Sequence, residues 1–251
     1  MTLLAGDRKV PAAPAAPGQL APLRTFPVLG IAAGFVLLEL AVSGRYGFHR
    51  DELYFLACAR HLAWGYVDQP PLVPAVAWLT THLLGTTPTS LRLLPALAGG
   101  LAVVLAALMA REVGGAWRAQ VLAALAAATS PQFVGTYHLL STAAFDDLFW
   151  CGALFVFVRL LRTGQRGLWL ALGAIVGFGL ENKWNIGFLA VALVIGLLAG
   201  GRARGLLDPW AWAGAALAAF LWLPDLLWNA GHGWAEVSMT HQLHAENGGL
   251  G

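Results

Sequence analysis

Long apolar stretches separated by short polar segments make up most of the chain after residue 25. A helix that crosses a bilayer needs roughly 20 mainly apolar residues. By that measure the pattern predicts an all-α, polytopic transmembrane helical bundle with about seven spans, at residues 26–44, 92–111, 117–136, 147–163, 167–181, 184–200 and 209–228. The fifth and sixth spans are short, and Glu181, Asn182 and Lys183 separate them, so we expect this turn to dip below the membrane surface.

Two further segments, 52–64 and 71–84, follow the first span and are too short to cross a bilayer. Pro70 and Pro71 precede the second segment and form a rigid turn. We therefore expect two interfacial helices in the first outer loop, with their aromatic side towards the lipid. Trp64 and Trp78 are the expected interface anchors, because tryptophan prefers the headgroup region.

Composition indicates an integral membrane protein rather than a soluble one. Hydrophobic residues make up 58% of the chain and charged residues only 11%, and the mean hydropathy is +0.67, whereas a soluble domain carries about 25% charged residues. A net charge of +2 without a basic stripe excludes nucleic acid as a partner. The two cysteines, Cys58 and Cys151, form neither a disulfide framework nor a metal-ligand spacing.

The ends of the chain differ from its apolar middle. Residues 1–25 combine prolines, alanines and basic residues, which predicts a disordered cytoplasmic arm. This long proline-rich lead favours an uncleaved first span over a signal peptide. Residues 26–228 form the predicted transmembrane domain, and 229–251 form an outer loop that stops without a terminating element. We therefore expect the chain to be the N-terminal portion of a longer protein.

Basic residues predict the orientation, since cytoplasmic loops are enriched in lysine and arginine. A cytoplasmic N-terminus places most of the basic residues inside: Arg8, Lys9, Arg24, Arg111, Arg118, Arg159, Arg162, Arg166, Arg202 and Arg204. All seven histidines and most of the acids then lie outside. The pattern predicts a multi-pass protein of the plasma membrane whose active side is extracytoplasmic.

Adjacent acids stand at the outer ends of two predicted helices. Asp51 and Glu52 follow His49 and Arg50 and serve either as a solvated helix cap or as a general base at the membrane surface. The pair at 146–147 opens the fourth span, where adjacent aspartates must be solvated, paired or metal-bound. This second pair is likewise either a helix cap or a functional site.

Lys183 stands far from Lys9, the other lysine of the sequence. An ammonium among tryptophan and apolar residues suits a phosphate partner. The alternatives are an ion pair with Glu181 or snorkelling to the interface. Glu39 lies inside the first span and either faces a cavity or packs as a neutral acid.

The run from His49 to Phe55, followed by Asp68, Gln69, Pro70, Pro71 and Leu72, resembles the first outer loop of the protein O-mannosyltransferase-like superfamily. These proteins are GT-C glycosyltransferases and include bacterial aminoarabinose and galacturonic acid transferases. The pair Asp146-Asp147 is similar to the acidic position of the family's second outer loop. The run 181–184 is similar to a later turn that carries lysine. The resemblance covers residues 26–235.

This resemblance implies a GT-C-type bundle that transfers a sugar, with inversion, from a polyprenyl-phosphate donor to a lipid, glycan or protein acceptor on the outer side. It implies Asp51 as the general base, beside Glu52, and Asp146 or Asp147 as a second acid that orients the acceptor or holds a metal. Lys183 would neutralise the donor phosphate. Further residues that the resemblance assigns to donor binding are His49, Arg50, Tyr54, Gln69, Pro70 and Pro71.

Two points of the resemblance concern phosphate and metal binding. Some relatives carry a lysine where Gln69 stands, so a phosphate contact at that position is in doubt. A divalent metal is the one candidate cofactor, with Asp51, Asp146 and Asp147 as its candidate ligands.

Two other functions stay open from the residues. Glu39, Asp146 and Lys183 are candidates for a relay in an ion- or proton-coupled transporter, although the acids cluster at one surface and no internal repeat is clear. The chain also fits a non-catalytic lipid-binding membrane subunit. Aromatic residues that could line a sugar site, as well as anchor the protein, are Trp64, Trp78 and Trp234.

Overall fold

The computed structural model describes the backbone of residues 20–247 and the side chains of all of these except residues 240 and 243–247. This part of the chain is helical and contains no strand, as the apolar pattern predicts. A 3-10 turn at Ala203–Leu207 precedes α10. The α-helices are α1 Thr25–Ser43, α2 Arg50–Ala59, α3 Leu72–Leu84, α4 Pro88–Glu112, α5 Trp117–Thr129, α6 Pro131–Tyr137, α7 Thr142–Thr163, α8 Leu168–Leu180, α9 Ile186–Ala199, α10 Pro209–Gly231 and α11 Ala235–Asn247.

Parts of two predicted segments, the arm at 1–19 and the end of the outer loop at 248–251, lie outside the described residues. The last residues of the predicted arm do have a place in the structure. The backbone N–H of Arg24 donates to Gln120 at 3.1 Å, and the Arg111 side chain donates to the backbone oxygen of Ala21 at 2.9 Å. Residues 20–24 therefore pack at the ends of α4 and α5.

Three of the described helices, α1, α4 and α10, are long and apolar enough to cross a membrane. They coincide with the first, second and seventh predicted spans. The 22-residue α7 carries two aspartates and two arginines, and α8 and α9 have only 13 and 14 residues. The count of seven spans therefore remains a prediction.

The third predicted span, 117–136, is two helices rather than one. Ser130 between α5 and α6 is extended, with φ −67° and ψ 125°. The ring of Pro131 disfavours helical backbone at the residue before it, while proline itself suits the first position of a new helix. The chain therefore breaks after Thr129 and restarts at Pro131.

Both helices predicted in the first outer loop are present as α2 and α3. The imidazole of His49 accepts from the backbone N–H of Asp51, and the Glu52 carboxylate accepts from the backbone N–H of His49, which is the reciprocal arrangement that begins a helix. α2 ends at Ala59, earlier than predicted, and α3 begins directly after Pro71. Their position on a membrane surface stays a prediction.

The helices pack around two apolar cores. The first lies among α1, α4, α5 and α6, with α2 and α3 against it. The second lies among α7, α8, α9 and α10, and Phe149 of α7 packs against both. Large apolar side chains also point outward, and Phe26, Phe188 and Phe220 are 91%, 77% and 69% exposed. Such an apolar exterior suits lipid rather than water.

Charged residues collect at the two ends of α4. Arg92 lies near its start and Glu112 is its last residue, which at 1.5 Å per residue separates them by about 30 Å. At the Glu112 end, Arg159 and Arg162 of α7 donate to the Glu112 carboxylate at 3.4 and 2.5 Å. This end holds arginines that the sequence predicts to be cytoplasmic.

One buried ion pair holds the Arg92 end together. The Arg92 guanidinium donates to both carboxylate oxygens of Glu52, at 2.8 and 2.7 Å, and both side chains are withdrawn from solvent. Arg92 also donates to the backbone oxygens of Ser43 and Gly47. The pair therefore joins the end of α1 and the start of α2 to α4.

Glu52 is further bonded on both oxygens by the backbone N–H groups of His49 and Leu140, at 2.8 and 3.4 Å. Burial favours its neutral form, but the hydrogen bonds and the charge of Arg92, together with these N–H groups, hold the pKa of Glu52 below its ordinary value. The carboxylate thus stays charged, and Leu140 ties the loop before α7 to the same point.

α8 and α10 approach each other so closely that only glycine fits at their crossing. A Cβ atom on Gly173 would overlap the backbone oxygen of Gly214, and one on Gly214 would overlap that of Trp169. One turn further, a Cβ on Gly177 would lie 3.0 Å from the backbone of Ala218. Small residues at this four-residue spacing are a common means of bringing membrane helices together.

The Glu52→Gln substitution tests the ion pair. Removing one charge of a buried pair leaves the other uncompensated, so we expect the free energy of unfolding to fall by about 3–5 kcal/mol. Thermal unfolding of the detergent-purified protein, followed by circular dichroism, measures the change. The neighbouring Asp51→Asn variant is the control, because its half-exposed side chain should cost no more than about 1 kcal/mol at a helix N-terminus. Equal melting of Glu52→Gln and the native protein would contradict the anchoring role.

The Gly173→Ala substitution tests the helix crossing. The added methyl group must push α8 and α10 apart, and we expect such overpacking to cost about 1–3 kcal/mol in the same unfolding measurement. Gly196→Ala on α9 is a matched control, because nothing lies within 4 Å of its Cβ position. There we expect no loss, since alanine is the better helix former by about 1 kcal/mol. A similar effect of both variants would show that the crossing is not closely packed.

Candidate active site

A cavity of about 960 Å³ lies between the first outer loop, the α8–α9 turn, α10 and α11. A backbone hydrogen bond from Leu72 N–H to the oxygen of Glu181, at 2.9 Å, joins two of these elements. The residues predicted from the sequence that line the cavity are Asp51, Tyr54, Gln69, Pro70 and Lys183. The structure therefore brings together segments that are more than 100 residues apart in the chain.

Asp51 and Glu52 are neighbours in sequence but lie in different environments, because adjacent residues of a helix point in different directions. Asp51 faces the cavity with about half of its side chain exposed, at 49%. Its carboxylate contacts the Arg50 guanidinium at 3.3 Å. His49 and Arg50 flank this carboxylate but do not line the cavity, and Glu52 points into the core towards Arg92.

The segment 68–71 forms the next wall. The Tyr54 hydroxyl donates to Asp68 at 2.6 Å, and burial together with this bond raises the pKa of Tyr54. Gln69 is buried, and no described group bonds its Nε2 atom. Pro70 lines the cavity, whereas Pro71 precedes α3 and does not.

Lys183 reaches the cavity from the turn between α8 and α9. Glu181 and Asn182 are buried, and the Asn182 side chain donates to the backbone oxygen of Thr142 at 3.0 Å, which ties the turn to α7. Lys183 itself is exposed to the cavity. Among the described residues no carboxylate pairs with its ammonium group, so the predicted alternative of an ion pair with Glu181 is not formed. A fixed turn thus presents a cation to the cavity.

Asp146 and Asp147 lie in the first turns of α7, behind the cavity wall rather than in it. Asp146 is buried and accepts a hydrogen bond from Asn185 Nδ2 at 2.7 Å. Because Asn185 does line the cavity, Asp146 can orient a cavity residue. Asp147 is partly buried.

The candidate metal ligands are not gathered at one point. Asp51 lines the cavity, whereas Asp146 and Asp147 do not. Nowhere in the described part of the chain do three or more histidine, cysteine or acidic residues form a group suited to a metal ion. These donor residues therefore do not fit a divalent metal, and the reaction argued below has no step through one.

Several residues that the sequence did not assign to the site also line the cavity, on the segment before α3, on α10, on α11 and beside Lys183. They include Asp68, Trp184, Trp222, Glu236 and His241. Burial and the charge of Asp225 raise the pKa of Glu236 to about 8. Of the described tryptophans, Trp184 and Trp222 line the cavity, whereas the sequence pointed to Trp64, Trp78 and Trp234. The adjacency of Trp184 to Lys183 was the one available signal.

Comparison with known proteins bears on the family of the chain. The sequence profile of the dolichyl-phosphate-mannose-protein mannosyltransferase family matches residues 68–228. The chain is 30% identical, over 206 residues, to a lipopolysaccharide core galacturonosyltransferase of Rhizobium johnstonii, an alignment that covers 79% of this chain and 41% of that protein. The chain thus spans about two fifths of the length of this relative, and no solved structure matches it. On the match to most of its helices, the chain belongs to the dolichyl-phosphate-mannose-protein mannosyltransferase family of GT-C glycosyltransferases, as the motifs of its first outer loop predicted.

Proposed function

We propose that the protein is a membrane glycosyltransferase that moves a sugar from a polyprenyl-phosphate donor to an acceptor hydroxyl on the extracytoplasmic face, with inversion at the anomeric carbon. The observation that carries the proposal is the cavity that Asp51, Gln69 and Lys183 share. A carboxylate can take the proton of the acceptor hydroxyl, and an ammonium group without an ion-pair partner among the described residues can bind the leaving phosphate. Membership of the family favours sugar transfer over other chemistry.

In the proposed reaction the acceptor oxygen attacks the anomeric carbon while the bond from that carbon to the phosphate oxygen breaks. Asp51 takes the proton of the acceptor hydroxyl, and the polyprenyl phosphate leaves with the bonding electrons. The Lys183 ammonium offsets the charge that develops on this phosphate. Asp51 on α2 and Lys183 on the α8–α9 turn belong to different walls of the cavity, which suits attack from the face opposite the leaving group.

An apolar path supports a lipid-linked donor. Val176 and Ala190 line the cavity and also a second, apolar cavity of about 350 Å³ between α8, α9 and α10. This second cavity continues to Trp169 and Leu197, towards the Glu112 end. An isoprenoid chain that lies along this path would place its phosphate at Lys183, because apolar cavities bind the apolar part of a ligand while a few polar groups orient it.

The other predicted site residues take different parts in the proposal. Glu52 has both oxygens engaged by Arg92, so we assign it the anchoring of α2 rather than proton transfer. We assign Asp146 a positioning role through Asn185. This assignment corresponds to the predicted second acid that orients the acceptor. Asp147, His49 and Arg50 remain candidates without a contact to the cavity.

The charge distribution favours a cytoplasmic N-terminus. Arg24, Arg111, Arg159 and Arg162 make contacts at the Glu112 end, and the cavity lies at the Arg92 end. Since arginine is enriched in cytoplasmic segments, the cavity would face the extracytoplasmic side of a bacterial inner membrane. The acceptor, whether lipid, glycan or protein, would reach it from that side.

The arrangement gives less support to a transporter. Glu39 bonds His138 at 2.7 Å, Asp146 bonds Asn185, and Lys183 lies in the cavity. Among the described residues no hydrogen bond or ion pair connects these three groups, so a relay through them lacks a path. The same cavity is also compatible with a non-catalytic lipid-binding subunit. The activity measurements below separate this function from the proposed enzyme.

The Asp51→Asn substitution tests the general base. Loss of proton transfer should lower the transfer rate about 100-fold or more, while the protein still inserts and melts like the native one. Lipid extracts of a deletion strain that carries the variant should accumulate the sugar-bearing polyprenyl phosphate and lack the glycosylated product, as in the uncomplemented strain. Full restoration of the product would show that Asp51 is not the base.

The Lys183→Gln substitution tests the phosphate contact. Loss of a charged hydrogen bond to the donor should lower kcat/KM about tenfold to 100-fold, and Lys183→Arg should recover part of it because it keeps the charge. Suitable donor probes are undecaprenyl phosphate carrying mannose or galacturonic acid, the two sugars named by the family and by the relative. Arg60→Gln is the control, because this exposed cation lies beside α2 but outside the cavity. Equal effects of the two glutamine variants would argue against a specific phosphate contact.

A further inference from the structure

Asp225 is a fully buried carboxylate in the last third of α10 that the proposed reaction does not use. Its Oδ2 atom accepts hydrogen bonds from two indole N–H groups, that of Trp184 at 2.8 Å and that of Trp222 at 3.2 Å. Its Oδ1 atom accepts from the Asn229 side chain at 3.2 Å. Because both oxygens are engaged, Asp225 holds its neighbours in place rather than binding a ligand itself.

The two indoles form a fixed corner in the cavity wall. Their ring centroids lie 5.7 Å apart at an interplanar angle of 84°, so the edge of one ring meets the face of the other. The rings come from different elements, Trp184 from the α8–α9 turn and Trp222 from α10, and both line the cavity while half-buried. A tryptophan that only fills a core or anchors an interface needs no shared acceptor, whereas this pair has its orientation set by a single oxygen.

The chemistry of the corner suits a sugar ring. The face of an indole is the negative end of its quadrupole, and the C–H groups on one face of a pyranose are weakly positive, so the two attract. Three amide side chains line the same cavity, and each has one amide atom without a described hydrogen-bond partner: Gln69 Nε2, Asn182 Oδ1 and Asn185 Oδ1. A ligand with several hydroxyl groups both donates and accepts, which suits a cavity wall built from amide side chains.

We propose that Trp184 and Trp222 form the subsite that binds the pyranose ring of the donor, and that Asp225 is the positioning residue that orients both rings. The donor ring is favoured over a ring of the acceptor because Trp184 directly follows Lys183, and in the donor the sugar is attached to the phosphate. The inference rests on the proposed function, since it takes the ligand to be a polyprenyl-phosphate sugar.

The test measures binding and not turnover. In the Asp51→Asn background, equilibrium affinities are measured for the two donor probes and for undecaprenyl phosphate without a sugar. The ratio of the two affinities isolates the contribution of the sugar. We expect at least one sugar-bearing probe to bind more tightly than the sugar-free lipid, and Trp222→Leu to reduce this preference about threefold to tenfold with the sugar-free affinity unchanged.

Two further variants separate stacking from orientation. Trp222→Phe keeps an aromatic face but loses the N–H, so it should retain part of the preference. Asp225→Leu has a similar shape but no oxygen that could accept from either indole, so it should lower the preference to a similar extent. Combined with Trp222→Leu it should add little, because residues that act as a unit are not additive. Trp210→Leu is the control, since this residue lies on the same helix outside the cavity.

The outcomes separate this inference from the proposed function. An unchanged preference in Trp222→Leu, or an equal loss of affinity for the sugar-bearing and sugar-free lipids, overturns the subsite and leaves the proposed donor standing. A loss of sugar-free affinity in Asp225→Leu shows a structural role and overturns the positioning role. If none of the three lipids binds the native protein, the proposed donor class fails and the subsite fails with it.

Discussion

The contact between Arg92 and Glu52 determines where the first outer loop lies. Two charges that are withdrawn from solvent are stable only as a pair with their remaining hydrogen bonds satisfied, and here backbone groups from the end of α1 and from the loop before α7 complete the set. The N-terminus of α2 is thereby attached to α4. Glu52 points inward, and its neighbour Asp51 points in a different direction, towards the cavity.

On the other side of the cavity, buried polar residues with hydrogen bonds to neighbouring elements likewise fix the α8–α9 turn. Glu181 and Asn182 are buried in contacts to α3 and α7, and Lys183 is left to face the cavity. The glycines of α8 and α10 bring these helices close, which places Trp222 of α10 near Trp184 of the turn. Anchored acids and small residues therefore shape a cavity in which Asp51 and Lys183, the proposed reactive groups, stay exposed.

Two acids that are adjacent in the sequence therefore need not have the same role, because their side chains lie in different environments. Of Asp51 and Glu52, one faces the cavity and the other an arginine in the core. Of the acids at 146 and 147, the first bonds a cavity residue without lining the cavity. Asp225 is more deeply buried than any of the cavity acids, yet its contacts are to indole rings. A buried carboxylate in this protein orients its neighbours, and an exposed one is available to react.

The sequence by itself determined the helical class, the two helices of the first outer loop and the family, because apolar runs, proline turns and the motif around Asp51 are local features. It also predicted Asp51, Gln69 and Lys183 as site residues, and all three line the cavity. The break between α5 and α6 also has a local cause, Pro131, although the predicted span 117–136 missed it. Only the tertiary structure decided that Glu52 pairs with Arg92 40 residues away, and that Trp184 and Trp222 share Asp225. Those outcomes depend on which face of a helix meets which neighbour. The hydrophobic pattern of an apolar helix does not show which side faces the core and which faces lipid, because both environments favour the same side chains.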